Sequence, residues 1–173
     1  MTRTVDVFEL AREGGTVEGE FEVAELTRLL PMLVPPFGRI RFRLQGRIDD
    51  RGRDAATLRI QGRFGLSCDL CGSGLQWDLD ETDGFFFVDD EEQLGTLPIE
   101  PDADEPLLGS RHFDLRNLVE EQAILALPIS PRHPACRSPE PAQGAEHPTH
   151  RPFAVLAARK RGRTDIQLSL IHI

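Results

Sequence analysis

The sequence predicts an α+β fold, a curved antiparallel sheet (a partial barrel) with one amphipathic helix packed against it. Three observations carry that prediction. Residues 39–48, "RIRFRLQGRI", and 56–64, "ATLRIQGRF", each alternate apolar and polar residues, and the Asp/Gly-rich "DDRGRD" joins them. That is the pattern of a hairpin with one face on a core and the other in water. Gly46 and Gly62 fall on the apolar face, where side chains are expected, and so point to bulges or sharp strand curvature. "FDLRNLVEEQAILALP" repeats its apolar residues every 3.6 positions, with Asp114 able to cap its start and Pro128 to end it.

At 173 residues, 39% hydrophobic and 28% charged, the chain is long enough to bury a real core. Residues 1–162 are expected to form a single domain. Residues 5–34 mix a weak strand pattern, "TVEGEFEVA", with an amphipathic run, "ELTRLLPMLV", which Pro31 interrupts. After the hairpin, "LQWDLDE" alternates as a third strand, and "GFFFVDD" reads as a short fourth one with Phe85, Phe86 and Phe87 largely buried. Between Asp78 and Glu105 there are twelve acidic residues and no lysine or arginine. The second half of that run, 89–106, reads as a mobile acidic loop. In the helix, Leu115, Leu118, Val119, Leu125 and Ala126 share one stripe. Residues 137–150 read as a Pro/His-rich loop, and 163–173, ending in "QLSLIHI", as a tail of doubtful origin.

No apolar run is long enough to span a membrane, and the start "MTRTVDVFEL" has no signal-peptide core, so a cytoplasmic location is expected. A formal charge of −9 argues against indiscriminate nucleic-acid binding, but not against a local basic face, because charges beyond roughly 10 Å are screened. Such a face is written into the hairpin. Arg39, Arg41, Arg43, Arg47, Arg51, Arg53, Arg59 and Arg63 are all odd-numbered, and the core residues of both runs are even-numbered. Six of them, Arg39, Arg41, Arg43, Arg47, Arg59 and Arg63, lie in the strands and should project together. Arginine's planar fork suits phosphate better than the point charge of lysine. Two readings stay open. The arginines are a solvated outer surface, neutralised by the acidic segment 78–105 folding over them, or they are an RNA-facing platform with which that segment competes.

The cysteines give a second candidate. Three is an odd number, against a disulfide framework. Cys68 and Cys71 in "SCDLCGSG" have the spacing of a metal knuckle, and "PRHPAC" adds His133 and Cys136 three residues apart. Together they make a Cys3His set suited to tetrahedral zinc. The long intervening loop adds little closure entropy. A redox dithiol is the rival, as are thiols packed simply as small apolar groups. No catalytic triad, phosphate loop or rigidly held pair of carboxylates is evident, so an enzyme is not expected.

Taken in order, the hairpin, the C-x-x-C, the acidic loop, "LVEEQAILALPISPRHPAC" and the terminal "RPFAVLAARK" resemble the YceD family, proteobacterial type, over residues 5–162. The resemblance implies a cytoplasmic, non-enzymatic ribosome biogenesis factor, needed for accumulation of large-subunit ribosomal RNA. Its partner would be precursor rRNA or an early assembly intermediate. The alternative is an adaptor that docks a basic ribosomal protein through its acidic segment. By matching motif positions, Cys68, Cys71, Glu120, Glu121, Pro128, His133 and Cys136 correspond to the family's recurring polar and metal-type residues. This chain departs from the many relatives that carry a fuller cysteine cluster after the helix.

Overall fold

The computed structural model describes residues 4–97 and 104–136. The expected Pro/His-rich loop 137–150, the "RPFAVLAARK" motif and the tail 163–173 lie outside them. A five-stranded sheet runs in the order β2 (Thr16–Glu22), β3 (Arg39–Ile48), β4 (Asp54–Ser67), β5 (Gly74–Val88) and β6 (Glu105–Leu108). The first four strands are antiparallel neighbours, as the alternation requires, whereas β6 lies parallel to β5. The sheet is curved and not closed. A small ribbon pairs β1 (Thr4–Val5) with β7 (Phe113–Asp114). Helices α1 (Val7–Glu13) and α3 (Leu115–Ala126) join the core, and α2 (Glu91–Thr96) lies between β5 and β6.

Period-two alternation puts Ile40, Phe42, Leu44, Leu58, Ile60 and Phe64 in one continuous core. Val7 and Leu10 of α1 and Leu115, Leu118 and Val119 of α3 close over it. Each fully buried side chain of this size contributes about 1.5–3 kcal/mol relative to exposure, so this one face holds the domain together.

Helix α1 was not foreseen, because seven residues are too few for a periodic stripe to stand out. Its signals are punctuation. The Asp6 side chain accepts hydrogen bonds from the Phe8 and Glu9 backbone N–H groups at 3.1 Å, and Gly14 ends the helix at φ 61°. These are the acidic N-cap and left-handed glycine that helix termini favour.

The two glycines on the core face do not mark bulges, since the β3–β4 register runs unbroken through both of them. At Gly46 an added Cβ would overlap the carbonyl of Leu10 and the nitrogen of Ala11, so α1 lies directly on bare strand. At Gly62 it would meet the Phe64 ring at 2.7 Å. Gly46→Val is therefore expected to push α1 off the sheet and cost about 3 kcal/mol, within the range for overpacking. A thermal midpoint unchanged from the parent chain would refute that contact.

Three further expectations change. "LQWDLDE" and "GFFFVDD" are one continuous strand, β5. Its successive phenylalanines are buried on opposite faces. Phe85 and Phe87 enter the main core, and Phe86 joins Ala55 and Val88 in a second cluster covered by Leu94 and Leu97. The stretch 89–106 is accordingly not all loop. Asp90 caps α2 by accepting from the Gln93 N–H at 2.8 Å, and the chain returns to pair as β6. The helix stripe also shifts: Leu125 is 68% exposed, and Glu120, Gln122 and Ala123 are buried instead.

Among the described residues no helix is long and apolar enough to cross a membrane.

Candidate functional site

The tight turn between β4 and β5 carries Cys68 and Cys71. The Cys68 N–H donates to the Ser73 carbonyl and the Gly72 N–H to the Cys68 carbonyl, both at 2.8 Å, with Gly72 at φ 72°. These bonds fold the backbone back around the first sulfur. The chain after α3 is joined to this turn by the Asp69 N–H, which donates to the Pro131 carbonyl at 2.9 Å. His133 and Cys136 thereby arrive beside the knuckle, with the Cys136 N–H bonded to the His133 carbonyl at 3.0 Å.

The four ligand atoms lie within 4.8 Å of one another. Cys68 Sγ is 3.8 Å from Cys136 Sγ, and Cys71 Sγ is 3.6 Å from His133 Nδ1. A zinc ion with bonds of about 2.3 Å to sulfur and 2.0–2.1 Å to nitrogen has tetrahedral edges of roughly 3.8 Å (S···S) and 3.6 Å (S···N). These two separations match those edges, and the 3.8 Å contact excludes a disulfide between Cys68 and Cys136 at about 2.05 Å. His133 Nε2 lies 3.1 Å from the Gly74 carbonyl, which can only accept. That nitrogen carries a proton, so the neutral ring turns a bare Nδ1 towards the thiols, the second-shell arrangement of metal-bound imidazoles. The group can hold a metal ion.

The thiols are not equivalent. Burial pushes Cys68 up, but N–H groups of His133, Cys71 and Leu70 outweigh it and bring the thiol down to about 6. The Ser73 N–H lowers Cys71. Burial and the neighbouring sulfurs push Cys136 up to about 11. A bond to the Gly74 carbonyl, then the thiols, raises His133. Cys68 and Cys71 are thus shifted towards the thiolate form that binds metal, and Cys136 away from it, so that a metal ion binding there must displace its proton. Both cysteines of the pair sit in a hairpin turn with no helix after them, unlike a thioredoxin-type pair at a helix N-terminus.

The second candidate, the arginine face, sits on the sheet surface opposite the core. Arg39, Arg41, Arg43, Arg59 and Arg63 are all exposed there. Carboxylates flank them, and most come from a strand that sequence reasoning did not connect with them. On β2, Glu20 and Glu22 pair with Arg39 at 3.3 and 2.7 Å, and Glu18 pairs with Arg43 at 3.0 Å. On β5, Asp80 takes a two-pronged contact from Arg59 at 3.0 Å, and Asp78 pairs with Arg63. Asp80 is held below the usual carboxylate range by Arg59 and Gln61. Arg41, at the centre, has no carboxylate partner among the described residues.

Among the described residues of segment 89–105, the ion pair with these arginines lies at the far end, where Asp104 pairs with Arg47, whose Nε also donates to Thr57 Oγ1 at 3.2 Å. Arg53 is likewise withdrawn, stacked 3.4 Å above the Phe86 ring and bonded to Asp49. The signal for the β2 partners was legible: "VEGEFE" places Glu18, Glu20 and Glu22 at alternate positions. What was missing was the knowledge that β2 borders β3.

Sequence reasoning gave Glu120 no role beyond its resemblance to a family position. Its buried carboxylate, on α3, accepts from the N–H groups of Arg28 and Leu29 at 2.6 and 3.2 Å and from Arg28 Nε at 3.4 Å. It fixes the turn that precedes β3 to the helix that precedes the second metal-type pair.

The chain is thus an α+β scaffold with a Cys3His cluster at one turn and a charged outer face on its curved sheet. A family model described as "Large ribosomal RNA subunit accumulation protein YceD" matches residues 56–159, more than half of the chain. The chain belongs to the YceD family, which ties it to accumulation of large-subunit ribosomal RNA. The matched span includes the Cys3His set, α3, Arg59 and Arg63, and it begins after β3. No curated protein and no solved structure matches the chain.

Proposed function

We propose that the protein is a non-enzymatic factor that supports large-subunit rRNA accumulation in the cytoplasm by binding precursor rRNA or an early assembly particle. Arg39, Arg41, Arg43, Arg59 and Arg63 hold phosphates, and zinc in the Cys3His cluster staples the β4–β5 turn to residues 131–136. The observation that carries this reading is the single water-facing plane shared by those five arginines, with Arg41 open at its middle. Arg47, already engaged by Asp104 and Thr57, is left out of the contact set.

The flanking ion pairs do not defeat it. Arg39, Arg43, Arg59 and Arg63 and their partners keep half or more of their side-chain surface exposed. Exposed pairs are worth about 0–1 kcal/mol, so a phosphate can displace a carboxylate at small cost. Charge-assisted arginine–phosphate bonds, often bidentate, are the stronger contact.

Arg41→Glu with Arg43→Glu is expected to weaken retention of large-subunit precursor RNA by tenfold or more. For the parent chain, five contacts give a log–log salt slope of roughly −3 to −4 on single strands. The second reading, an adaptor for a basic ribosomal protein, draws on Glu91 and Glu92, exposed in the first turn of α2. It predicts that the arginine variant binds normally and that Glu91→Gln with Glu92→Gln does not.

A further inference from the structure

The outer face is a set of charged rows with a fixed order, and that order restricts what can lie on it. Strand register puts Glu18, Arg43, Arg59 and Thr82 in one line across the sheet and Glu20, Arg41, Gln61 and Asp80 in the next. Glu22 lies beside Arg39 and Asp78 beside Arg63 on the two sides of a third line. Read along the strands, the same residues form a cationic stripe on β3 and β4, bordered by a carboxylate rail on β2 and another on β5. Strands sit about 4.8 Å apart, so the stripe is roughly 5 Å wide and the rails roughly 14 Å apart. None of these outward positions holds an aromatic residue.

From this geometry we infer that the face accepts one unpaired phosphodiester strand, gripped by its backbone, and rejects duplex RNA. The inference rests on the reading above that the arginines face RNA. A single strand laid along β3 and β4 meets Arg39, Arg41 and Arg43 on one side and Arg59 and Arg63 on the other. Successive outward side chains repeat about every 6.8 Å, commensurate with the nucleotide repeat of an extended sugar–phosphate chain. An A-form duplex offers two phosphate rows brought close by its narrow major groove. With one row on the stripe, the other falls over a rail, and like charges placed together disfavour the wrong partner. Sheet surfaces that read single-stranded bases do so with stacking aromatics. Here there are none, so the bases point to solvent and binding tolerates any sequence.

The test uses the full chain with three probes of matched length: oligouridylate, oligoadenylate and a blunt RNA duplex. Both single strands are expected to bind within a few-fold of each other and roughly tenfold or more tighter than the duplex. In the variant Glu18→Gln/Glu20→Gln/Glu22→Gln, duplex affinity should rise more than single-strand affinity, bringing the ratio towards parity. Asp78→Asn/Asp80→Asn does the same from the other side, so the test survives misfolding of either variant. A parent chain that binds duplex as well as single strand overturns the inference, as does rail removal that lifts all probes by one factor. In both cases Arg41→Glu/Arg43→Glu still abolishing binding would leave the RNA-facing reading intact. Binding that ignores Arg41 and Arg43 altogether would overturn both.

Discussion

Cys136→Ser is expected to strip the chain of its metal and to free residues 131–136 from the β4–β5 turn. The parent protein, purified under reducing conditions, should carry about one zinc per chain, as a closed four-ligand site holds it. The variant should carry almost none. Apparent binding energies of structural zinc in small peptides reach about 10–16 kcal/mol, because the metal there supplies most of the folding energy. Here a separate apolar core exists, so the loss should be local. Amide exchange at Asp69, whose N–H is bonded to the Pro131 carbonyl, should rise sharply, and amides of β3 and β4 should stay protected. Acidification should act in the same direction, since protons compete with the metal for the thiolates. A parent chain free of tightly held metal would reduce the cluster to packed thiols.

Glu120→Ala should give the other large effect, a loss of about 3 kcal/mol in unfolding free energy. The carboxylate serves two backbone N–H groups and a guanidinium, and a buried donor left unsatisfied costs about 1–3 kcal/mol. Glu120→Gln keeps an oxygen that can accept from the Arg28 and Leu29 N–H groups and should recover about half of the loss. Denaturant midpoints with an unchanged slope would report it. If alanine and glutamine behave alike, the carboxylate is not what holds that turn.

Both effects depend on partners far apart in sequence, and this separates what could be read from the chain from what could not. The outward plane of arginines was legible because side-chain alternation is local: once 39–48 and 56–64 are strands, parity alone sorts the residues. The metal-type set was legible for a related reason, since two short spacings each place a pair of ligands. What sets one pair against the other is the Asp69–Pro131 backbone bond, which no spacing encodes. Gly46 was visible as an anomaly, but the helix that requires it came from a seven-residue stretch marked only by Asp6 and Gly14. The parallel edge strand β6 was hidden for the same reason, as its partner β5 lies on the far side of α2.

The sequence by itself determined the hairpin, the facing of each residue on it, the main helix and the family to which the chain belongs, because these rest on periods of two and 3.6 residues and on contiguous motifs. Only the tertiary structure decided that β2 and β5 border the arginine strands and turn a basic patch into a stripe between acidic rails. Strand order is a long-range property. It is set by which apolar faces close a common core, and the charges carried on the opposite face follow wherever that packing puts them.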